Sequence, residues 1–213
     1  YTQMCSASDF GIEAKSVGFD LSKIVQKSRQ AADQLSQGIA QLMKKNKIEV
    51  FTGDASVVSV GQVQVGDQVL VTDSIVIATG AEQKSLGPIA IDGQQIWGAR
   101  EAMTPTALPA RLLIVGAGAI GVEFASFYRA LGSAVTLLEV APNILPAEDI
   151  DISALAAEAL SQRGINVQVG QGLEGLASVA GCVEATIAGE TLEFDAAILS
   201  VGVAGRVQGL GLE

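Results

Sequence analysis

The chain has no histidine and only two cysteines, and each shortage removes a class of function. Without an imidazole to carry protons near neutral pH, a self-contained acid–base enzyme is not expected. Cys5 and Cys182 stand far apart, which gives neither a disulfide framework nor a metal-ligand spacing. Both read as buried or incidental thiols of a reducing cytoplasm rather than catalytic ones. Basic residues are scarce as well. Thirteen Lys and Arg face 23 Asp and Glu over 213 residues, a formal charge of −10. An acidic chain with no basic stripe argues against nucleic acid. Nearly half the residues are apolar (49%), yet no apolar run is long enough to span a membrane. That leaves a chain with material for one large domain or two small ones. It opens at Tyr1, with no initiator Met and no signal peptide. With the missing histidine, this reads as part of something longer.

What is present is concentrated in one stretch. The apolar run Leu112-Leu113-Ile114-Val115 leads into Gly116-Ala117-Gly118-Ala119-Ile120-Gly121, and a helical pattern follows through Val122, Glu123, Phe124 and Ala125. Each glycine has its own reason: Gly116 for a tight turn, Gly118 for close approach of a pyrophosphate, Gly121 for close packing of helix on strand. Free N–H groups at the helix start then face an anion with the positive end of the dipole behind them. A second strand, Ala134 to Leu138, ends in Glu139, 18 residues past Gly121. That spacing suits a carboxylate on a ribose hydroxyl.

The remaining pattern builds around this unit. Asp20 predicts a cap for a helix from Leu21 towards Lys45, with an apolar face at Leu21, Ile24, Val25, Ala32, Leu35, Ile39 and Leu42. Lys44, Lys45 and Lys47 solvate its end, and Asn46 suits the left-handed cap. Ile48 to Phe51 and Ser56 to Val60 are β-rich. Gln62 to Val65 and Gln68 to Val71 flank Gly66-Asp67, which predicts a hairpin. Ser74 to Ala78 predicts a strand buried on both faces, ending at Thr79-Gly80-Ala81. Residues 82–111 look like a connection broken by Pro88, Pro105 and Pro109, with a domain boundary near Thr104 and Trp97 packed at the junction. Beyond it come helix 119–131 stopped by Gly132, a helix around Ile152 to Leu160 ended by Gly164, and a strand from Ile165 to Val169. Three short β segments follow between Leu173 and Phe194, broken at Ala180-Gly181 and Ala188-Gly189. A last strand runs from Ala196 to Val201. The expected fold is α/β: a Rossmann-like, mostly parallel sheet with a β-meander insert over 105–213, preceded by a second partial domain over 1–104.

In combination, Gly-Ala-Gly-Ala-Ile-Gly-Val-Glu-Phe-Ala (116–125), Val-Thr-Leu-Leu-Glu (135–139), Ile-Leu-Pro (144–146), Ala-Thr-Gly-Ala (78–81) and Ser-Val-Gly (200–202) resemble the flavin-dependent disulfide reductases. Among these the dihydrolipoamide dehydrogenases, the E3 components of 2-oxoacid dehydrogenase complexes, are most similar. Gly11-Ile12-Glu13, Leu42 to Lys47 and Leu210 to Glu213 extend the resemblance over the whole chain. The family's own FAD glycine turn, its Cys-x4-Cys redox pair and its catalytic His-Glu pair have no counterpart here. The resemblance therefore implies a central fragment: the later part of a Rossmann-like FAD-binding domain (1–104) and an NAD-binding domain (105–213).

The resemblance also implies roles. Thr79, Gly80 and Ala81 would touch FAD, and Ala55 would offer a backbone contact to it, although many relatives have glycine there. The NAD pyrophosphate turn falls on Gly116, Ala117, Gly118, Ala119, Ile120, Gly121 and Val122. Glu123 would lie near the nicotinamide and Glu139 on the adenosine ribose. Leu173 would meet the adenine side and Gly202 the nicotinamide end. Val203 stands where the family often has Arg. No catalytic residue and no metal ligand is implied in this segment. The whole enzyme would be a cytoplasmic homodimer working with lipoyl-bearing subunits. Two other readings stay open: a reductase of the glutathione or mercuric type, and a stand-alone, non-catalytic NAD-binding module. NADP users commonly carry Arg at the position of Glu139, and glutathione reductases tend to have Ala at that of Gly121.

Overall fold

A computed structural model describes residues 1–13 and 17–212. In chain order the elements are helix α1 (Thr2–Cys5), a 3-10 turn (Ala7–Phe10), α2 (Leu21–Lys45), strands β1 (Ala55–Ser59), β2 (Gln62–Val65), β3 (Gln68–Val71), β4 (Ala81–Gln83) and β5 (Ile96–Trp97), then α3 (Ala99–Ala102). Next come β6 (Arg111–Val115), α4 (Ala119–Leu131), β7 (Ala134–Glu139), α5 (Ile150–Gln162), β8 (Asn166–Val169), β9 (Leu173–Val179), β10 (Cys182–Ile187), β11 (Glu190–Phe194), β12 (Ala196–Leu199) and β13 (Val203–Gly205). The chain packs as two compact units, one of residues 1–26 and 83–202, the other of 27–82 and 203–213. Glu213, the end of the closing family match, lies outside the described residues.

The first unit is built on a five-stranded sheet in the order β5-β12-β6-β7-β8. Every pairing in it is parallel. Alternation along β6 sends Leu112 and Ile114 to one face and Leu113 and Val115 to the other, and the first three are fully buried. Ala125 and Tyr128 of α4, with Leu160 of α5, cover the first face. Val183, Ala185, Ile187 and Phe194 of the antiparallel meander β9–β11 cover the second. Each fully buried Leu or Ile contributes about 1.5–3 kcal/mol over its exposed state. Both meander turns use an Ala-Gly pair with positive φ at both residues, 45° and 96° at Ala180-Gly181 and 51° and 78° at Ala188-Gly189. That backbone matches the right-handed twist of the flanking strands.

The packing does not follow the expected boundary at Thr104. Ile96-Trp97 is a strand parallel to β12, and residues 83–104 pack with the sheet unit. Asp92 seats this segment. Its carboxylate accepts the N–H groups of Gln94, Gln95 and Ile96 at 2.8, 2.9 and 2.9 Å, and the Ser178 hydroxyl at 2.6 Å. Burial alone would raise its pKa, but the Ser178 and backbone donors outweigh that and hold it down to about 2. Trp97 is buried, with Nε1 donating to the Gln94 carbonyl.

The second unit carries most of the differences from expectation. The α2 bounds are as predicted, and Asp20 Oδ1 accepts the Lys23 N–H at 3.2 Å. The apolar face, however, buries nothing: Leu35, Ile39 and Leu42 are all exposed. The left-handed residue after the helix is Lys47 (φ 56°) rather than Asn46, whose side chain donates to the Leu42 carbonyl. The β1–β2–β3 meander forms, but residues 48–51 and 74–78 are not strands. Val76 is 88% exposed, so the run read as a doubly buried strand lies open. Among the described residues no sheet pairs with it. The tail pairs instead through β13 with β4.

This uneven burial predicts uneven protection. In hydrogen exchange, amides of residues 111–199 should exchange about a hundredfold more slowly, or slower still, than those of 27–82. Equal protection in a monomer would contradict the burial pattern.

Candidate functional site

The carboxyl ends of the parallel strands β6 and β12 lie side by side at one end of the sheet. Ligand crevices of open parallel sheets form at such a point. Gly116 follows β6 with φ +98°, and its N–H donates to the Leu138 carbonyl at 2.8 Å. A Cβ at Gly116 would stand 2.5 Å from the Ser200 carbonyl oxygen. At Gly121 a Cβ would overlap the Gly116 carbonyl outright. Gly118 differs: nothing lies within 4 Å of where its Cβ would be. Two glycines are thus required by protein packing, and the third faces open space.

Gly118 is the N-cap of α4, with no side-chain cap and no acidic residue in the first turn. The first N–H groups of a helix have no partner within it. Here they carry the positive end of a 13-residue helix towards the open space. Ala117, just before the N-cap, is not among them. It is fully buried, and its N–H is taken by Glu139 Oε2 at 2.7 Å. Glu139 closes β7, is 8% exposed, and also accepts the Ala141 N–H through Oε1 at 2.9 Å. Two backbone donors leave this carboxylate with unused acceptor capacity, since an ionised carboxylate has about four lone-pair sites.

These residues border a cleft of about 470 Å³. Of the residues expected from sequence, Gly116, Gly118, Glu139, Leu173 and Gly202 line it together. Ala119, Ile120, Val122 and Glu123 do not: Ile120 and Glu123 are exposed on α4, and Val122 is half-buried. Gly121 is buried behind the turn. The expected flavin contacts belong to the second unit. Ala55 opens β1 opposite Val65. The Thr79 hydroxyl donates to the Arg206 carbonyl, and Gly80 (φ +79°) accepts the Arg206 N–H at 3.1 Å. Thr79, Gly80 and Ala81 are exposed.

Sequence reading missed Ser200, Gln171, Val140, Pro146 and Leu86, which also line the cleft. Gln171 is held there by its N–H on the Glu139 carbonyl at 3.1 Å. Leu145, in a left-handed conformation (φ 48°), donates to the Ala117 carbonyl at 2.7 Å and so sets Pro146 at the rim. The sign available beforehand was topological, because a polar residue ending the strand beside the glycine turn must face the crevice.

The cleft has the size and placement of a small-ligand site. Its donor set fits a dinucleotide: an uncapped helix start and an open glycine for a pyrophosphate, and a carboxylate for ribose hydroxyls. Among the described residues, no helix is long and apolar enough to cross a membrane and no acid, histidine or cysteine cluster is built to hold a metal.

Comparison with known proteins gives one consistent result. Residues 3–213 match the pyridine nucleotide-disulphide oxidoreductase family model. A dihydrolipoyl dehydrogenase of Zymomonas mobilis is 39% identical, over 100% of this chain and 48% of its own length. One from Rhizobium etli is 38% identical over 96% of this chain and 48% of its own. The chain thus spans about half the length of the curated relatives it matches. The crystal structure of LpdA from Mycobacterium tuberculosis superposes with a TM-score of 0.87 at 25% identity, covering 99% of this chain and 48% of that one. The Cu(II) complex of the HOCl-induced flavoprotein disulfide reductase RclA from Escherichia coli gives 0.79 at 26% identity, covering 99% and 47%.

The glycine geometry yields a paired prediction. Gly121→Ala should lower stability by about 1–3 kcal/mol by overpacking, a fall in Tm of about 3–10 °C. Gly118→Ala should cost less, about 0.5–1 kcal/mol or roughly 1–4 °C, because its methyl enters open space and only the N-cap preference for glycine is lost. Equal losses in thermal scans would contradict the assignment of the two glycines.

Proposed function

The chain belongs to the pyridine nucleotide-disulphide oxidoreductase family, and we propose that within it this segment supplies the NAD site and part of the FAD site of a dihydrolipoyl dehydrogenase. The observation that carries the reading is the cleft at the end of β6 and β12, where Gly118 and Glu139 meet. Gly116, Gly118, Gly121 and the start of α4 would hold the pyrophosphate. Glu139 would accept from the adenosine ribose, Leu173 would border the adenine and Gly202 the nicotinamide end. Glu123, exposed on α4, would lie near the nicotinamide. Thr79, Gly80, Ala81 and Ala55 would contribute to the flavin site. Bound together, flavin and nicotinamide supply hydride transfer between them, and the protein's task is to hold and orient the two rings.

The whole enzyme would oxidise dihydrolipoamide with NAD⁺, as a cytoplasmic homodimer working with lipoyl-bearing subunits. The division into an FAD portion (1–104) and an NAD portion (105–213) is part of the proposal. The likeness to RclA supports a second reading, another flavoprotein disulfide reductase. The nucleotide site would be the same in both.

Calorimetric titration tests the nucleotide assignment. A 2′-phosphate near Glu139 meets a like charge, which at an effective dielectric near 20 and about 4 Å costs roughly 4 kcal/mol. Solvent and salt reduce this, so NADH should bind about 10- to 100-fold more tightly than NADPH. Glu139→Gln should narrow the gap from both sides. Equal affinities in the unaltered protein would remove Glu139 from the ribose.

Assay with dihydrolipoamide tests the division of labour. Thiol–disulfide exchange needs an attacking thiolate and a partner sulfur, whereas Cys5 and Cys182 are both free thiols. The 213-residue chain should show no dihydrolipoamide:NAD⁺ turnover, and measurable turnover would place a redox centre in it.

A further inference from the structure

Ser200 follows β12 where that strand ends beside β6. Its backbone N–H donates to the Val115 carbonyl at 2.7 Å, continuing the parallel ladder by one residue. Its hydroxyl oxygen lies 2.7 Å from the Gly116 carbonyl oxygen and 2.9 Å from that of Val115. A serine hydroxyl carries one proton. The Val115 carbonyl already receives the Ser200 N–H, whereas the Gly116 carbonyl has no other hydrogen-bond donor among the described residues. The hydroxyl proton is therefore best used on Gly116.

The Gly116 carbonyl and the Ala117 N–H belong to one planar peptide group. Its oxygen end is held by Ser200 Oγ and its nitrogen end by Glu139 Oε2, at 2.7 Å each. The flank of the carbonyl rests on the Cα of Gly121, where a side-chain carbon would collide with it and would stand 2.8 Å from Ser200 Oγ. One peptide plane thus links a hydroxyl on β12 to the carboxylate on β7, across the mouth of the cleft that both residues line.

We propose that Ser200 is a positioning residue: by fixing the 116–117 peptide it sets the direction of the glycine turn and holds Glu139 in the orientation that reads the adenosine ribose. This rests on the dinucleotide reading of the cleft, but the latch itself exists without ligand. Removing the hydroxyl leaves the Gly116 carbonyl without a donor and frees the peptide to turn. Glu139 then loses one of its two backbone anchors.

The test uses the full chain and two readouts. In amide hydrogen exchange followed by NMR, Ser200→Ala should speed exchange at Ala117 about tenfold, roughly the loss of one hydrogen bond. The ladder amides of β6 and β7 should be unchanged. Ser200→Thr, which keeps a hydroxyl, should restore protection. In titrations with NADH and NADPH, Ser200→Ala should weaken NADH about tenfold and narrow the NADH-to-NADPH ratio, with Ser200→Thr recovering both. If Ser200→Ala fails to fold, Ser200→Cys, similar in size and a weaker donor, should give intermediate values in both experiments. Unchanged Ala117 exchange in the alanine or cysteine variant overturns the latch. So does a folded threonine variant that behaves like alanine. Failure of the unaltered protein to bind NADH would instead overturn the dinucleotide reading, and the exchange result would still decide the latch.

Discussion

The contact between the Gly116 carbonyl and the Cα of Gly121 is the constraint on which the first unit depends. It sets how closely the start of α4 lies against the end of β6. Any side chain at 121 would push the helix away from the sheet. That would move the helix N-terminus away from the crevice and open the core around Ala125 and Tyr128, both fully buried between helix and sheet. The same approach brings the Gly116 carbonyl to the end of β12, so the two halves of the sheet meet at one turn. Site geometry and core packing are therefore not separable at this position.

Charge is distributed in keeping with that geometry. The chain carries a formal charge of −10, and among the described residues the cleft lining contains a single ionisable one, Glu139. A nearly buried carboxylate is costly unless its oxygens are satisfied. Here the Ala117 and Ala141 N–H groups supply that compensation. They come from segments on either side of the strand end, so Glu139 ties the glycine turn to the loop after β7. The helix start offers the opposite polarity across the same space. An anion at one end and hydroxyl groups at the other describe a ligand with separated phosphate and sugar, which a dinucleotide provides.

Much of the first unit was legible because its signals are local. Gly116, the Ala-Gly turns of the meander and the stop at Gly132 each take a backbone conformation that few residues adopt, Gly121 permits a close approach, and each stands where expected. The helix bounds of α4 followed directly. What escaped notice depends on distant partners. Ile96-Trp97 is only two residues long, and it becomes a strand because β12 lies beside it and Asp92 gathers three N–H groups just before it. Ser200 enters the sequence pattern only within Ser-Val-Gly (200–202); its contact is with a residue 84 positions earlier. Glu123 was placed by resemblance alone, and the turn of α4 leaves it exposed rather than on the cleft lining.

The second unit marks the limit of reading burial from apolar pattern. A 25-residue helix exceeds the roughly 12–15 residues below which isolated helices are marginal. Hydrogen bonding and propensity can therefore define α2 without tertiary contact, and its amphipathic pattern states only which face suits a neighbour. The run 74–78 is the opposite case. A strand has no internal hydrogen bonds, so apolar β-branched residues do not make one until a second strand supplies the ladder. The hairpin at Gly66-Asp67 brings its own partner across the turn, and it forms. The sequence pattern was equally strong in all three places. What separates them is where the backbone's hydrogen bonds are found: within the element for α2, in the adjoining segment for β2 and β3, and, among the described residues, only at Ser74 through the Thr72 hydroxyl for 74–78.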